Sequence, residues 1–168
     1  KYKKNKLQNK LVSKIWKTIE FKKYKDLNHF IKDLKKNSNI SVWIEDIVRN
    51  KKNKISFTKK RINLYRIKVA SLGFKKPVTL RKIYKKLKEK NYSCVPPDVA
   101  LRSRFVYKEQ KNGEWLRIAT PLKSMIDSDN VPHLPKLGKA LGKYFTETYW
   151  SYPGAIFHPH NEFVVTKK

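Results

Sequence analysis

Residues 71–119 read SLGFKKPVTLRKIYKKLKEKNYSCVPPDVALRSRFVYKEQKNGEWLRIA, and their local grammar decides the fold class. Pro77 and Thr79 open a helix. Thr79 is the kind of residue whose side chain caps the first free N–H groups, and Leu80, Ile83, Tyr84 and Leu87 recur at helical spacing on one side. Arg81, Lys82, Lys85, Lys86, Lys88 and Lys90 fill the other side. The prolines of Cys94-Val95-Pro96-Pro97-Asp98 stop this helix, and Pro97 suits the first position of a short second helix over 98–107. In that helix Val99, Leu101, Phe105 and Val106 are expected to be partly buried. Asn112-Gly113 is a strong turn signal. EWLRIAT (114–120) then alternates, with Leu116 and Ile118 toward the core.

Upstream, Leu11, Val12, Ile15, Trp16 and Ile19 fit a helical stripe beginning at Leu7. Asp26 is a plausible N-cap for a helix with Leu27, Phe30, Ile31 and Leu34 on one side. Ile40, Trp43, Ile44, Ile47 and Val48 mark a third helix after the break at Asn37-Ser38-Asn39. The spacing of helices two and three admits a helix-turn-helix, but Glu45 and Asp46 would repel phosphate and Arg49 is the one strong donor, which favours an ordinary helix pair. Residues 50–60 form a lysine-dense linker. NLYRIKV (63–69) reads as a strand with Tyr65, Ile67 and Val69 inward. Downstream of residue 120 the prolines and glycines divide short strands, among them KYFTETYW (143–150) and EFVVT (162–166).

The expected fold is therefore α+β. A basic helical N-terminal region, residues 1–60, precedes an α+β domain, residues 61–168, built on a small, mostly antiparallel β-lobe.

Charge points to a partner. The formal net charge is +28, and the first 91 residues hold 30 of the 41 Lys and Arg but only 6 of the 13 Asp and Glu. Such asymmetry suits a polyanion, with nucleic acid (DNA or RNA) the first candidate and an anionic membrane surface the second. AT-rich codons also favour Lys, Asn and Ile, so composition alone explains part of the excess. Lys59, Lys60, Arg61, Arg81, Lys82, Lys85, Lys86 and Lys88 are the candidate phosphate-binding residues. A phosphate at the helix N-terminus would relieve Arg81 and Lys82, which the helix dipole disfavours there. A protein partner is the alternative reading, and a small enzyme using Arg102, Arg104 and Glu114 the third.

Motifs for chemistry are sparse. There is no Walker loop, dinucleotide fingerprint, Gly-x-Ser-x-Gly or His-Glu-x-x-His. His158-Pro159-His160 with Glu162 reads as a surface turn rather than a metal site. Cys94, the single cysteine, is expected to be buried and unreactive rather than a nucleophile beside His133 or His158. It excludes an intramolecular disulfide and leans toward a reducing compartment. Asp127-Ser128-Asp129 reads as turn residues. Asp98, Arg102, Arg104 and Glu114 form a possible polar cluster, in which one arginine points inward and pairs with Asp98 or Glu114. Tyr144, Tyr149, Trp150, Tyr152 and Phe157 read as β-lobe core or as a stacking platform. No catalytic residue, metal or cofactor is assigned. No run is long and apolar enough for a membrane span, and no signal-peptide pattern opens a sequence that starts at Lys1, so a cytoplasmic location is expected.

SLGF (71–74), CVPPDVALRSRFVYKEQ (94–110), GEWLRIA (113–119) and WSYPGAIFHPHNEFVV (150–165) together resemble a family of small bacterial proteins of the candidate-phyla type. The resemblance covers about the last 60% of the chain. It implies no activity and brings no catalytic residue.

Overall fold

The structure, a computed structural model, describes residues 14–168. Its elements in chain order are β1 (Lys17–Ile19), α1 (Leu27–Asn37), β2 (Asn39–Ile40), α2 (Val42–Arg49), β3 (Ile62–Lys68), β4 (Val78–Thr79), α3 (Leu80–Glu89), β5 (Tyr92–Ser93), α4 (Pro97–Val106), β6 (Trp115–Ile118), β7 (His133–Ala140), β8 (Lys143–Trp150), β9 (Ile156–Phe157) and β10 (Glu162–Lys167). The α+β class is observed.

The sheet is larger and more mixed than the expected lobe. Eight strands run β1-β3-β10-β6-β7-β8-β2, with β5 on the end of β10, and β4 and β9 form a separate pair. β10–β6 and β2–β8 are parallel; the other pairings are antiparallel.

Two of these strands come from the first 60 residues. The stripe of Ile15, Trp16 and Ile19 is not helical: Lys17–Ile19 pairs with β3 in the register Lys17↔Leu64 and Ile19↔Ile62. Ile19 is buried beside Leu64, and Trp16 meets Tyr107 edge-on at 4.8 Å. A three-residue segment satisfies either period, so tertiary pairing decides. The Leu7–Ser13 part of that expected helix lies outside the described residues. β2 likewise ties the α1–α2 connection to β8.

Local signals set the helices well. The Asp26 carboxylate accepts from His29 N (2.8 Å), as an N-cap should, a contribution of about 1 kcal/mol. Phe30, Ile31 and Leu34 are buried as their spacing requires. Ser41 caps α2, where Ile44, Ile47 and Val48 turn inward and Arg49 is held by Glu45. α2 thus packs through one face, and its one arginine is tied to Glu45. Thr79 caps α3, and Leu80, Ile83 and Leu87 form its inner stripe.

Three clusters of buried side chains stack the layers. α3 packs Leu80, Ile83 and Leu87 on one sheet face, against Tyr65, Ile67, Phe163 and Val165. The other face offers Leu64, Leu116, Ile118, Leu137 and Val164 to Val99 and Ala100 of α4. Leu101, from the far side of α4, joins α1 and α2 through Phe30, Leu34, Ile44 and Ile47. Each fully buried aliphatic side chain contributes about 1.5–3 kcal/mol of transfer energy. β3 is a central strand with both faces covered, so Leu64 is buried as well as Tyr65, Ile67 and Val69.

β7 is masked in the sequence by its own breakers, Pro135 and Gly138. Pairing of β7 with β6 stops at Arg117↔Lys136, so Pro135 lies beyond that ladder and is paired only with Thr148 of β8; a residue without an N–H is tolerated there. The β7–β8 turn is Leu141-Gly142, both with positive φ (51° and 75°), as a two-residue hairpin with matching twist demands. Asn112-Gly113, the more conspicuous dipeptide, instead opens β6: Gly113 N donates to Lys139 O, and the Asn112 side chain accepts from Gly142 N.

Candidate nucleic-acid interface

The basic residues singled out in the sequence lie at one end of the sheet and along α3. α3 follows β3 through a 3-10 turn and β4, then hands over to β5. β5 pairs with the end of β10 (Lys167↔Tyr92), and Thr166 of that end reaches Asn63 O (2.9 Å) at the start of β3. α3 therefore runs back along β3. Its C-terminal turn, with Lys86, Lys88 and Lys90, comes to the same end of the sheet as Lys59, Lys60 and Arg61, which directly precede β3.

Arg81, Lys82, Lys85 and Lys88 are exposed on the outer side of α3, and no described acidic residue forms an ion pair with them. Lys86 is held by Glu89 at 3.1 Å. Lys59 and Lys60 are exposed, and Arg61 meets Glu20 at 3.2 Å in an open pair of little energetic weight. Phosphate capture by the α3 N-terminus is ruled out by its hydrogen bonds. Leu80 N donates to Ala155 O, Arg81 N to Pro153 O and Lys82 N to the Thr79 hydroxyl, so the first N–H groups are already used. Basic side chains alone remain to meet an anion there. Beside them Tyr84, Leu87, Tyr92, Cys94 and Ala119 line a mostly apolar groove of about 490 Å³. Cys94 is half-buried on its wall rather than enclosed, and burial raises its thiol pKa.

The polar cluster expected around Asp98, Arg102, Arg104 and Glu114 divides into two, Asp98 with Arg102 and Arg104 linked to Glu114 through Tyr107 and Gln110. Both arginines are buried, because α4 is enclosed between the sheet and α1–α2. Asp98 and Arg102 form a buried ion pair (3.2 Å). The Asp98 carboxylate also accepts from Thr58 N (2.7 Å) and the Thr58 hydroxyl (2.8 Å), while Arg102 donates to Glu20 O (2.7 Å). Arg104 pairs with no carboxylate among the described residues. It donates to the Gln110 side-chain oxygen (2.6 Å), to Gly138 O and to Tyr107 O, with Tyr144 stacked on it at 4.5 Å. Burial lowers its pKa to about 10, so it stays cationic at neutral pH. Glu114 accepts from the Tyr107 hydroxyl and lies 3.4 Å from Arg66. Arg66 grips Glu162 through Nε (2.8 Å) and Nη2 (3.0 Å). Burial, reinforced by Glu114, moves the Tyr107 phenol up to about 12. Alternation along β3 places Arg66 outside the Tyr65 face, and nothing local flags its partners: Glu162 is 96 residues away.

Asp127 is more than a turn residue. Its Oδ1 accepts from Asp129 N and Val131 N (both 2.9 Å), and its Oδ2 meets His133 Nε2 at 2.8 Å. His133 Nδ1 faces the Thr148 hydroxyl at 2.9 Å, and Trp43 stacks on the imidazole. His133 is thus committed to Asp127 and Thr148, not to Cys94. His158 and His160 stack on each other in the turn before β10, and no group of three or more metal-ligating side chains occurs among the described residues.

The aromatic residues of the tail are divided between the sheet faces. Tyr144 and Trp150 share the α4 side with Arg104 and His133. Tyr149 and Phe157 lie on the α3 side and pack together at 5.2 Å.

No protein-family profile, curated protein or solved structure matches this chain. Among the described residues no helix is long and apolar enough to cross a membrane.

Proposed function

We propose that the protein binds nucleic acid without reading its sequence, through the outer face of α3 and the basic segment 59–61. The observation that carries this reading is the exposed set Arg81, Lys82, Lys85 and Lys88 along one face of α3, without acidic partners among the described residues, whose C-terminal end comes to the same end of the sheet as Lys59 and Lys60. Like charges so placed repel one another and add nothing to folding; a phosphate backbone offsets that repulsion by releasing counterions. Phosphate contact is favoured over base-edge reading, because the one arginine of α2 is tied to Glu45 and α3 offers mostly lysines, which meet phosphates as point charges.

The test is binding of labelled duplex and single-stranded oligonucleotides of unrelated sequence. Dissociation constants of about 10⁻⁴–10⁻⁶ M at physiological salt, similar across sequences, support the proposal; strong preference for one sequence contradicts it.

A second reading, a protein-interaction module, is favoured by one surface. Trp43 (44% exposed) is stacked on the His133 ring and Trp150 (64% exposed) lies opposite His133 in the ladder, while Val42, which precedes Trp43, is 78% exposed. The enzyme reading has less support, since the Asp98–Arg102 pair is held by Thr58 and Glu20 while Arg104 and Glu114 are joined to each other through Tyr107 and Gln110.

A further inference from the structure

On the α3 side of the sheet, β6, β7 and β8 carry a row of side chains that α3 does not cover. The register places Arg117 opposite Lys136 and Lys136 opposite Glu147, with Trp115, Gly138 and Phe145 in the next row and Tyr149 on the other side. Arg117 and Lys136 are half-buried, and neither makes an ion pair or hydrogen bond with a described residue. The Nε of Arg117 is buried without a partner. The Arg117 guanidinium lies over Tyr149 (5.1 Å) and Phe157 (5.4 Å). The Lys136 ammonium is bracketed by Trp115 (4.8 Å) and Tyr149 (5.8 Å). Lys136 and Glu147 do not close to an ion pair.

Two neighbouring cations held against aromatic rings, with no carboxylate bound to either, are a poor way to stabilise a sheet. Partial burial without a partner costs free energy, and that cost is visible in both groups: burial lowers the pKa of Arg117, and burial together with Arg117 lowers that of Lys136. An anion between them would supply the missing acceptors, and a guanidinium is suited to a phosphate through paired N–H donors. The flanking Trp115 is 37% exposed. It rests on Gly138 and keeps part of its indole open to solvent. Cations interleaved with aromatic rings on a sheet, here with Trp115 the exposed one, are the arrangement by which sheets hold unpaired strands, each base having a face to stack. A duplex keeps its bases stacked on each other and cannot use it.

We propose that Trp115, Arg117, Lys136 and Tyr149 form a site for single-stranded nucleic acid, Arg117 and Lys136 taking a phosphate and Trp115 stacking on an adjacent base. This rests on the nucleic-acid reading above and adds a preference for single strands.

The test is titration of a fluorescent 12-mer of mixed sequence, single-stranded and as duplex, with the wild type, with Arg117→Met/Lys136→Met and with Lys136→Met alone. Methionine keeps the apolar stem of each cation and removes the charge. The double substitution should weaken single-strand binding about tenfold or more and reduce its salt slope by about 0.7 for each phosphate no longer neutralised, with duplex binding unchanged. Its melting temperature should hold or rise, because unpaired buried charge has been removed. The single substitution should give part of the same effect and keeps the test readable if the double variant folds poorly. Wild-type binding to single strands that neither variant weakens, or equal weakening on single strand and duplex, overturns the platform while leaving the α3 interface standing. A wild type that binds neither substrate overturns both.

Discussion

Trp115 lies across Gly138. The two are opposite each other in the β6–β7 ladder, and a Cβ built on Gly138 would stand 2.2 Å from the indole Cζ3. The indole fills the space a side chain would occupy, and Phe145 lies near it, tilted by 37° with ring centroids 6.3 Å apart. The glycine is thus required by a close approach rather than by a turn.

Gly138→Ala should therefore expel Trp115 from its seat. The expected destabilisation is about 1–3 kcal/mol, the usual range for overpacking, with a change in tryptophan fluorescence in the folded state. Urea unfolding and the emission spectrum measure both. An alanine variant as stable as the wild type, with unchanged emission, would show that the indole does not rest there.

Asp98→Ala should be among the most damaging single substitutions. It strands the buried Arg102 guanidinium and removes the acceptor for both Thr58 donors. Breaking a buried pair from one side costs about 3–5 kcal/mol. Asp98→Ala/Arg102→Met should recover much of that stability. Because Thr58 fastens the 54–60 segment to α4, limited proteolysis of Asp98→Ala should cut in that segment first. A cost below about 1 kcal/mol in chemical denaturation contradicts this account.

The Asp127–His133 pair predicts an acid limb of stability. Burial pushes the Asp127 carboxyl up, but His133 and the N–H groups of Val131 and Asp129 more than offset it, and the net pKa lies below 3.8. A carboxyl whose pKa is lower folded than unfolded contributes stability that is present above the ordinary value and lost as pH falls through the folded one. Wild type should thus exceed Asp127→Asn in stability at about pH 5–7, and the gap should shrink below about pH 4. Denaturation midpoints of both proteins across that range give the comparison; a gap that persists undiminished to about pH 2 would assign the stabilisation to something other than the ionised carboxylate.

What can be read from the sequence is local. The caps at Asp26 and Thr79, the inner stripes of α1 to α3 and the strands β6, β8 and β10 follow from residues within one or two turns of each other. The charged face of α3 is equally plain. The sheet order is not, because β1 and β2 are two or three residues long and form only against β3 and β8. β7 is obscured by Pro135 and Gly138, whose roles depend on where β6 ends and on Trp115. Arg66 escapes local reasoning for the same reason: its acceptor Glu162 is brought to it by the sheet, whereas Arg104 meets Tyr107 and Gln110 close by in the chain and only Gly138 across the sheet. Arg117 and Lys136 become neighbours only through the β6–β7 register, so no spacing in the chain announces the cationic row.

The central claim, that the α3 face meets phosphates, is tested most directly by the salt dependence of duplex DNA binding for the wild type and for Lys82→Gln/Lys85→Gln/Lys88→Gln. These lysines are exposed and lack acidic partners among the described residues, unlike Lys86, and glutamine preserves helix propensity, so the fold should persist. The wild type should lose affinity linearly on a log–log plot as salt rises, and the variant's slope should be shallower by about 0.9 for each phosphate no longer neutralised. Identical slopes for the two proteins, or no binding by the wild type at physiological salt, would contradict it.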